Sequence, residues 1–360
     1  MKKLHKCLLA ALLIGMLGLI SQGCDSGHSS STGRQFVMLG TAPVGGAFNQ
    51  VGNSIATVIE SNKGDLDWKV QSQATKGSQE NIRALDKGEI QLGMSNSAIS
   101  YHAVRGSESW DKEYKIRAVV TLAPNVGLFI TKKSSGIKTM ADLKGKRVTV
   151  GPAGAGMEMF LSPLLAEHGV NFSVDGKDDE ITPLNQNYSG SVQLLGDDDA
   201  DAAFVGGAIP TAAVSQACAS HDIHFVTYND AAKASLIEKY DFFSPVTIPA
   251  TKNDKKTYED LEEDFPALNV GSMQLITHAD VDEELVYGLT KKIWENRKAI
   301  AQQHPAGNAI NEKNAARYTG TEFHAGAIRF YKEIGIWPDA GETAGSATES
   351  AEPVTAGAAE

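Results

Sequence analysis

Cysteine, positive charge and long apolar runs are all scarce in this chain of 360 residues. The cysteines are Cys7, Cys24 and Cys218, and no two form a CxxC pair. That excludes a zinc ribbon, a thioredoxin-type site and a disulfide scaffold. Lys and Arg number 33 against 44 Asp and Glu, a formal charge of −11. A nucleic-acid binder needs a basic face to neutralise phosphates, so that class is excluded too. The longest apolar run, Cys7 to Ile20, is too short at ~1.5 Å per residue to span a ~30 Å hydrocarbon core comfortably. No HExxH and no G-x-S-x-G is present, so neither a zinc protease nor a hydrolase elbow is expected.

What is present begins with an export signal. Lys2, Lys3 and Lys6 precede the apolar run, and Ser21, Gln22, Gly23 and Cys24 follow it, which is the layout of a signal peptide over residues 1–23. The Gly23-Cys24 ending resembles a bacterial lipobox, with Ser21 where leucine is usual, and implies lipidation of Cys24. Asp25 to Arg34 (DSGHSSSTGR) is a polar tether suited to a domain held at a membrane. Removing residues 1–23 takes away three lysines, which leaves 30 basic against 44 acidic residues, a charge of −14. At the other end, 339–360 is a low-complexity stretch with little to bury and is expected to be disordered.

Between these ends strand and helix patterns alternate, as in an α/β protein with parallel βαβ units. Glycine is the compositional outlier, at 35 residues or about 10% against a usual ~7%. Two glycine loops sit in an internal echo. Phe36-Val-Met-Leu-Gly40 runs into Gly45-Gly46 and a helix expected over Asn49 to Glu60; Arg147-Val-Thr-Val-Gly151 runs into Gly154-Ala155-Gly156 and a helix expected over Met157 to His168. A looser echo relates Val126 to Thr131 and Val270 to Thr277. Two similar lobes are expected, one from 35–124 plus 270–338 and the other from 125–269.

A glycine-rich turn before a helix lets backbone N–H groups approach an anion at the positive end of the helix. Neither loop has Walker A or G-x-G-x-x-G spacing, so nucleotides lose support. Gly46, Ala47 and Phe48, with Gly154, Ala155, Gly156 and Met157, are therefore candidate contacts for a small carboxylate. So are Gly77, Ser78 and Asn81 at a third helix start, with Ser78 as the expected N-cap. Ser95, Asn96 and Ser97 at one strand end and Gly206 and Gly207 at another complete the set. Micromolar binding needs about 8 kcal/mol, and each helix end supplies only ~0.3–1, so side chains and lobe closure must supply most of it.

Other clusters carry less. Asp197, Asp199 and Asp201 alternate like a calcium loop, but Ala202 and Ala208 stand where an EF-hand needs Gly and Glu. Cys218 fits a small buried hydrophobe in an Ala-rich helix. His324, Trp294 and Trp337 read as packing residues.

Seven segments in order carry a resemblance: Gly45-Gly46, Lys76 to Asn81, Gly88-Glu89-Ile90, Ile137 to Arg147 (IKTMADLKGKR), Gly151 to Gly156, Ala202 to Pro210 (AAFVGGAIP) and His324 to Gly335 (HAGAIRFYKEIG). Together they resemble the TAXI family of extracytoplasmic solute receptors of TRAP transporters, over about residues 35–338. The resemblance implies a two-lobed α/β fold of the type II periplasmic-binding-protein kind with a ligand cleft between the lobes. It implies a small organic anion such as glutamate as ligand, no cofactor, a TRAP-type permease as membrane partner, and a monomeric receptor outside the cytoplasmic membrane. A ligand-sensing or scavenging lipoprotein without a permease is the alternative, and the absence of any nucleophile–base motif argues against an enzyme on the same scaffold. The family's loops tend to read Gly-Gly-Thr-Tyr-Tyr and Gly-Ser-Gly-Thr. Here Ala47-Phe48-Asn49 follows the first glycine pair, and the second loop is Gly154-Ala155-Gly156-Met157. The lost hydroxyls point to a less polar anion than glutamate.

Overall fold

A computed structural model describes residues 35–338 apart from Gly45, Asp65, Val174, Asp175 and Asn253. The expected signal peptide, the Cys24 lipidation site, the tether and the C-terminal tail lie outside the described residues.

The chain opens with β1 (Gln35–Gly40), α1 (Ala47–Asn62), β2 (Trp68–Gln73), α2 (Ser78–Asp86), β3 (Leu92–Asn96), α3 (Ser97–Arg105) and β4 (Ile116–Thr121). It continues through β5 (Val126–Lys132), β6 (Arg147–Thr149), α4 (Glu158–Ala166), β7 (Thr182–Leu184), α5 (Tyr188–Gly196), β8 (Ala202–Gly207), α6 (Ala212–Ser220), β9 (Ile223–Phe225) and α7 (Asp230–Lys239). The last part holds β10 (Phe243–Ile248), a small hairpin of β11 (Thr251–Lys252) and β12 (Lys255–Lys256), β13 (Phe265–Val270), β14 (Met273–His278), α8 (Glu283–Glu295), α9 (Arg297–Gln303) and α10 (Ala325–Glu333).

Two mixed sheets organise these elements. The first has the order β2-β1-β3-β14-β4, and the second has β10-β13-β5-β8-β6-β7 with β9 against the far end of β5. In the first, β1 is flanked by β2 and β3, both parallel to it; in the second, β6 is flanked by β7 and β8, both parallel. Antiparallel β14 then follows β3, and antiparallel β5 follows β8. The strand–glycine–helix echo thus maps onto β1 and β6, and the looser echo onto β14 and β5, at matching places in the two sheets. Each sheet buries its own core. Leu39, Ile55, Leu92 and Leu289 are among the buried residues of the first lobe, and Phe129, Phe160, Phe204 and Val214 of the second.

The chain passes between the lobes twice, through 122–125 and through 271–272. Both passages are pinned by backbone bonds: Val270 N donates to Asn125 O at 2.9 Å, and Met273 N to Ala123 O at 2.9 Å. No helix among the described residues is long and apolar enough to cross a membrane.

Candidate functional site

In a parallel βαβ unit the helix starts where the strand ends, so loops at the C-terminal ends of the strands carry exposed backbone donors and form the usual ligand crevice. Both lobes turn these ends toward each other, because the passages connect the sheets at the same end. Gly156 of the second lobe lies against α2 and α3 of the first. A Cβ there would stand 3.0 Å from Ile99 Cδ1 and 3.2 Å from Gln79 Cγ. Met159 of α4 is fully buried in a first-lobe cluster with Ile82, Leu85, Ile99 and Trp110. Ala98 of α3 is buried in turn among second-lobe residues. The rings of Tyr101 and Phe242 meet across the joint at 5.1 Å, and those of His102 and Phe242 at 5.7 Å.

The first lobe's side of the joint is a dense hydrogen-bond network in which two buried oxygens, Asn81 Oδ1 and Ser97 Oγ, have no partner. Gly40 and Gly93 are register partners on β1 and β3, and the Asn81 side chain lies over them. A Cβ on Gly40 would fall 2.4 Å from Asn81 Oδ1, and one on Gly93 3.1 Å from Asn81 Cβ. The Asn81 Nδ2 group donates to the carbonyls of Gly40 (3.1 Å), Thr41 (2.7 Å) and Met94 (2.8 Å). This corrects the reading of Asn81 as a ligand donor, since its N–H groups are committed to the backbone where β1 and β3 end. Ser78 is also not the N-cap expected of it. The cap position belongs to Gly77, at φ 113°, and Ser78 Oγ instead accepts from Asn96 N at 3.0 Å. Gly77 N donates to Thr75 Oγ1.

Asn96 caps α3 by accepting from Ala98 N at 2.8 Å, and it donates to Gly271 O at 3.0 Å in the second passage. Ser95 Oγ donates to Asn96 O and accepts from Ser100 Oγ at 2.8 Å. Ser97 N donates to Ser272 O, while Ser97 Oγ is buried without a partner. The structure therefore gathers Ser78, Ser95, Asn96 and Ser97 with Gly156 at one place. Gly46, Ala47 and Phe48 stay with their own lobe. Gly46 N donates to Pro43 O, and Ala47 and Phe48 pack on the first-lobe core.

The second lobe's side is built differently. Gly154 is exposed at φ 74° with open space around its Cβ position, and Ala155 N donates to Pro152 O. The Met157 side chain folds over Gly151. The helix expected from Met157 to His168 runs from Glu158 to Ala166, with Met157 at the N-cap position and no side-chain cap. Gly206 is covered, because its Cβ position lies 2.9 Å from Tyr188 Oη and 3.0 Å from Asn125 Oδ1. Burial pushes the Tyr188 hydroxyl up to about 12. Gly207, at φ 149°, turns the chain toward Thr211.

Several polar side chains at the joint were not singled out from sequence. Asn269 Oδ1 accepts from Asn125 N at 3.0 Å, and its amide donates to Ser272 Oγ at 2.8 Å and Ser244 Oγ at 3.1 Å. Arg317 Nη2 donates to Ser272 Oγ at 2.7 Å, and its Nε donates to Asn314 Oδ1 at 3.0 Å. Asparagine inside the apolar strand 265–270 was a usable signal. Arg317, 45 residues from Ser272, had none.

Outside the joint, the chemistry is muted. Cys218 is half-buried, and burial raises its thiol to about 11. The recess beside it, lined by Lys132, Lys133 and Asp222, lies at the far end of β5, and its lysines already pair with Asp198 and Asp260. Asp201 of the acidic turn is held by Arg147 at 2.8 Å. His324 caps α10 and contacts Val281 O. Trp294 and Trp337 pack on the first-lobe core. Within the joint, His102 Nδ1 and Ser107 Oγ are 2.9 Å apart. This is no activated nucleophile, since burial holds the imidazole down to about 4.

Two α/β lobes with a double crossing and a joint at their strand ends define a two-lobed binding-protein-like architecture. The chain belongs to the NMT1-like family, whose model matches residues 39–335. Among solved structures it is similar to the periplasmic aliphatic sulphonate binding protein SsuA from Escherichia coli, at 14% identity and a TM-score of 0.46, covering 77% of this chain and 73% of that one. It is also similar to a structure from work on glutathione import via GshT and the cystine ABC importer TcyBC of Streptococcus mutans, at 12% identity and a TM-score of 0.46, covering 75% and 93%.

Proposed function

We propose that this chain is the extracytoplasmic solute receptor of a TRAP-type, TAXI-class transporter. It captures a small organic anion between its lobes and delivers it to the membrane permease, and it is held at the outer face of the cytoplasmic membrane through a lipid on Cys24. The observation that carries this reading is the joint itself. Strand-end loops of both sheets meet there, and a solute touching both would favour the closed form over the open one. The seven segments in order support the TAXI assignment. A catalytic role has no comparable support, since the hydroxyl–imidazole contact lacks a base of suitable pKa.

The test is mass spectrometry of solute released from protein purified without refolding. A small carboxylate at about one per chain is expected, and a sugar or a cation would contradict the reading. Uptake measured with the cognate permease should collapse when the ion gradient is dissipated and persist when ATP is depleted.

A further inference from the structure

Arg317 is, among the described residues, the arginine that neither a carboxylate nor an aromatic ring answers. Among the described residues, Arg117, Arg147 and Arg329 hold carboxylates, and Arg83, Arg105 and Arg297 lie over aromatic rings. Arg317 has neither. Its two hydrogen bonds go to neutral oxygens, Ser272 Oγ and Asn314 Oδ1, out of the five N–H groups a guanidinium carries. Burial lowers its pKa, with no acid to offset the cost. Arg317 is partly buried, and drawing a cation even partly out of water is unfavourable unless an anion compensates.

Its position gives that anion a source. Ser272, which accepts from Arg317, lies in the second passage between the lobes. Ser272 O also accepts from Ser97 N at the start of α3, and Ser272 Oγ accepts from Asn269 of the second lobe. Ser97 Oγ, next to this point, is fully buried with its hydrogen-bonding capacity unused. A guanidinium and an unpartnered hydroxyl thus flank Ser272 where both lobes meet.

We propose that Arg317 is the charge-bearing anchor of the solute, taking its carboxylate at the pivot of the two lobes, with Ser97 Oγ as a second donor. This rests on the receptor reading above and adds an acidic group as a requirement for binding. It also answers how a chain of net charge −14 after signal removal holds an anion, namely by one local cation rather than by its overall field.

Calorimetric titration of the mature chain with propionate and glutamate, and with their amides propionamide and glutamine, tests the assignment. The wild type should prefer at least one acid over its amide. Arg317→Gln should weaken acid binding by about 10–100-fold, equivalent to ~1.4–2.7 kcal/mol, and Arg317→Lys by distinctly less. Equal loss in the Gln and Lys variants, a folded Gln variant with wild-type affinity, or a wild type that binds no acid better than its amide would each overturn the anchor. Where the Gln variant does not fold, the Lys variant decides: its acid-to-amide ratio should fall below that of the wild type, and an unchanged ratio would overturn the anchor. Acid binding indifferent to Arg317→Gln removes Arg317 alone, whereas a neutral solute released from the native protein removes the acidic solute itself.

Discussion

The two faces of the joint are built on opposite plans. In the first lobe, the side-chain donors at the strand ends are largely spent on the protein's own backbone, with Asn81 Nδ2 on three carbonyls and Asn96 on α3 and the second passage, while Ser78 Oγ accepts from Asn96 N. In the second lobe, the corresponding loop from Gly151 to Met157 carries glycines at φ 89°, 74° and 81° and no side-chain cap on α4. The first face is a platform fixed by hydrogen bonds. The second is a lip that owes its shape to backbone conformation and to what it closes against. Polar residues at a strand end are therefore weak evidence of ligand contact until their partners are known, because a rigid site needs some of them as struts.

The contrast is most exposed at Asn81. Asn81→Ala strips three buried carbonyls of a shared donor and leaves a void over the Gly40–Gly93 pair. Unsatisfied buried groups cost about 1–3 kcal/mol each, and the strands retain part of their bonding, so a loss of about 3–4 kcal/mol is expected in urea unfolding. A drop below about 1 kcal/mol would make the platform idea untenable.

Next in size is a pH effect at the seam between the faces. His102 is buried in the joint, and desolvation first, then the nearby Arg105 charge, hold its pKa down to about 4. An unfolded histidine titrates near 6.5. Between those values the unfolded chain binds a proton that the folded one refuses. Stability from this group is therefore complete above about pH 6.5 and lost as pH falls toward 4. The shift corresponds to about 3 kcal/mol, to order of magnitude. His168, His304 and His324 are lowered by burial as well, so they tilt the curve the same way. His102→Gln should flatten stability measured across pH 4 to 6.5. An unchanged slope would show that His102 stays protonatable within the joint.

The fold was legible because its signals are local. A strand run, a glycine and a helix pattern recur, and the recurrence marks β1 and β6, which hold matching places in their sheets. Helix limits drifted for local reasons too. Ala47 and Phe48 contain no breaker, so α1 starts two residues before Asn49, and the glycine loop delays α4 to Glu158. The candidate site was legible only as a set of loops. Which groups face a solute depends on pairings such as Asn125 with Asn269, 144 residues apart, and Arg317 with Ser272. No periodicity or spacing reports those. The same limit explains Asn81, whose helix start looks identical whether its amide points at a ligand or at the end of β1.

A smaller effect separates lobe closure from lobe stability. Gly156 has φ 81° and almost no room, with Ile99 and Gln79 at 3.0 and 3.2 Å from a Cβ. Those neighbours belong to the other lobe, so Gly156→Ala penalises the closed form specifically. About tenfold weaker solute binding is expected, equivalent to ~1.4 kcal/mol, with small-angle scattering showing a more open particle.

Gly154→Ala is the control that gives this number its meaning. Gly154 shares the left-handed conformation, at φ 74°, but its Cβ position has nothing within 4 Å. Alanine at either glycine bears the left-handed penalty of roughly 1–2 kcal/mol, and that strain is the same whether the lobes are apart or together. It should lower the unfolding free energy of both variants alike. Only the Gly156 variant adds a contact made on closure, so only it should lose affinity. Subtracting the Gly154 result from the Gly156 result isolates what the lip contributes through the joint, and equal affinities in the two variants would mean that solute binding does not require the lip to close on α2 and α3.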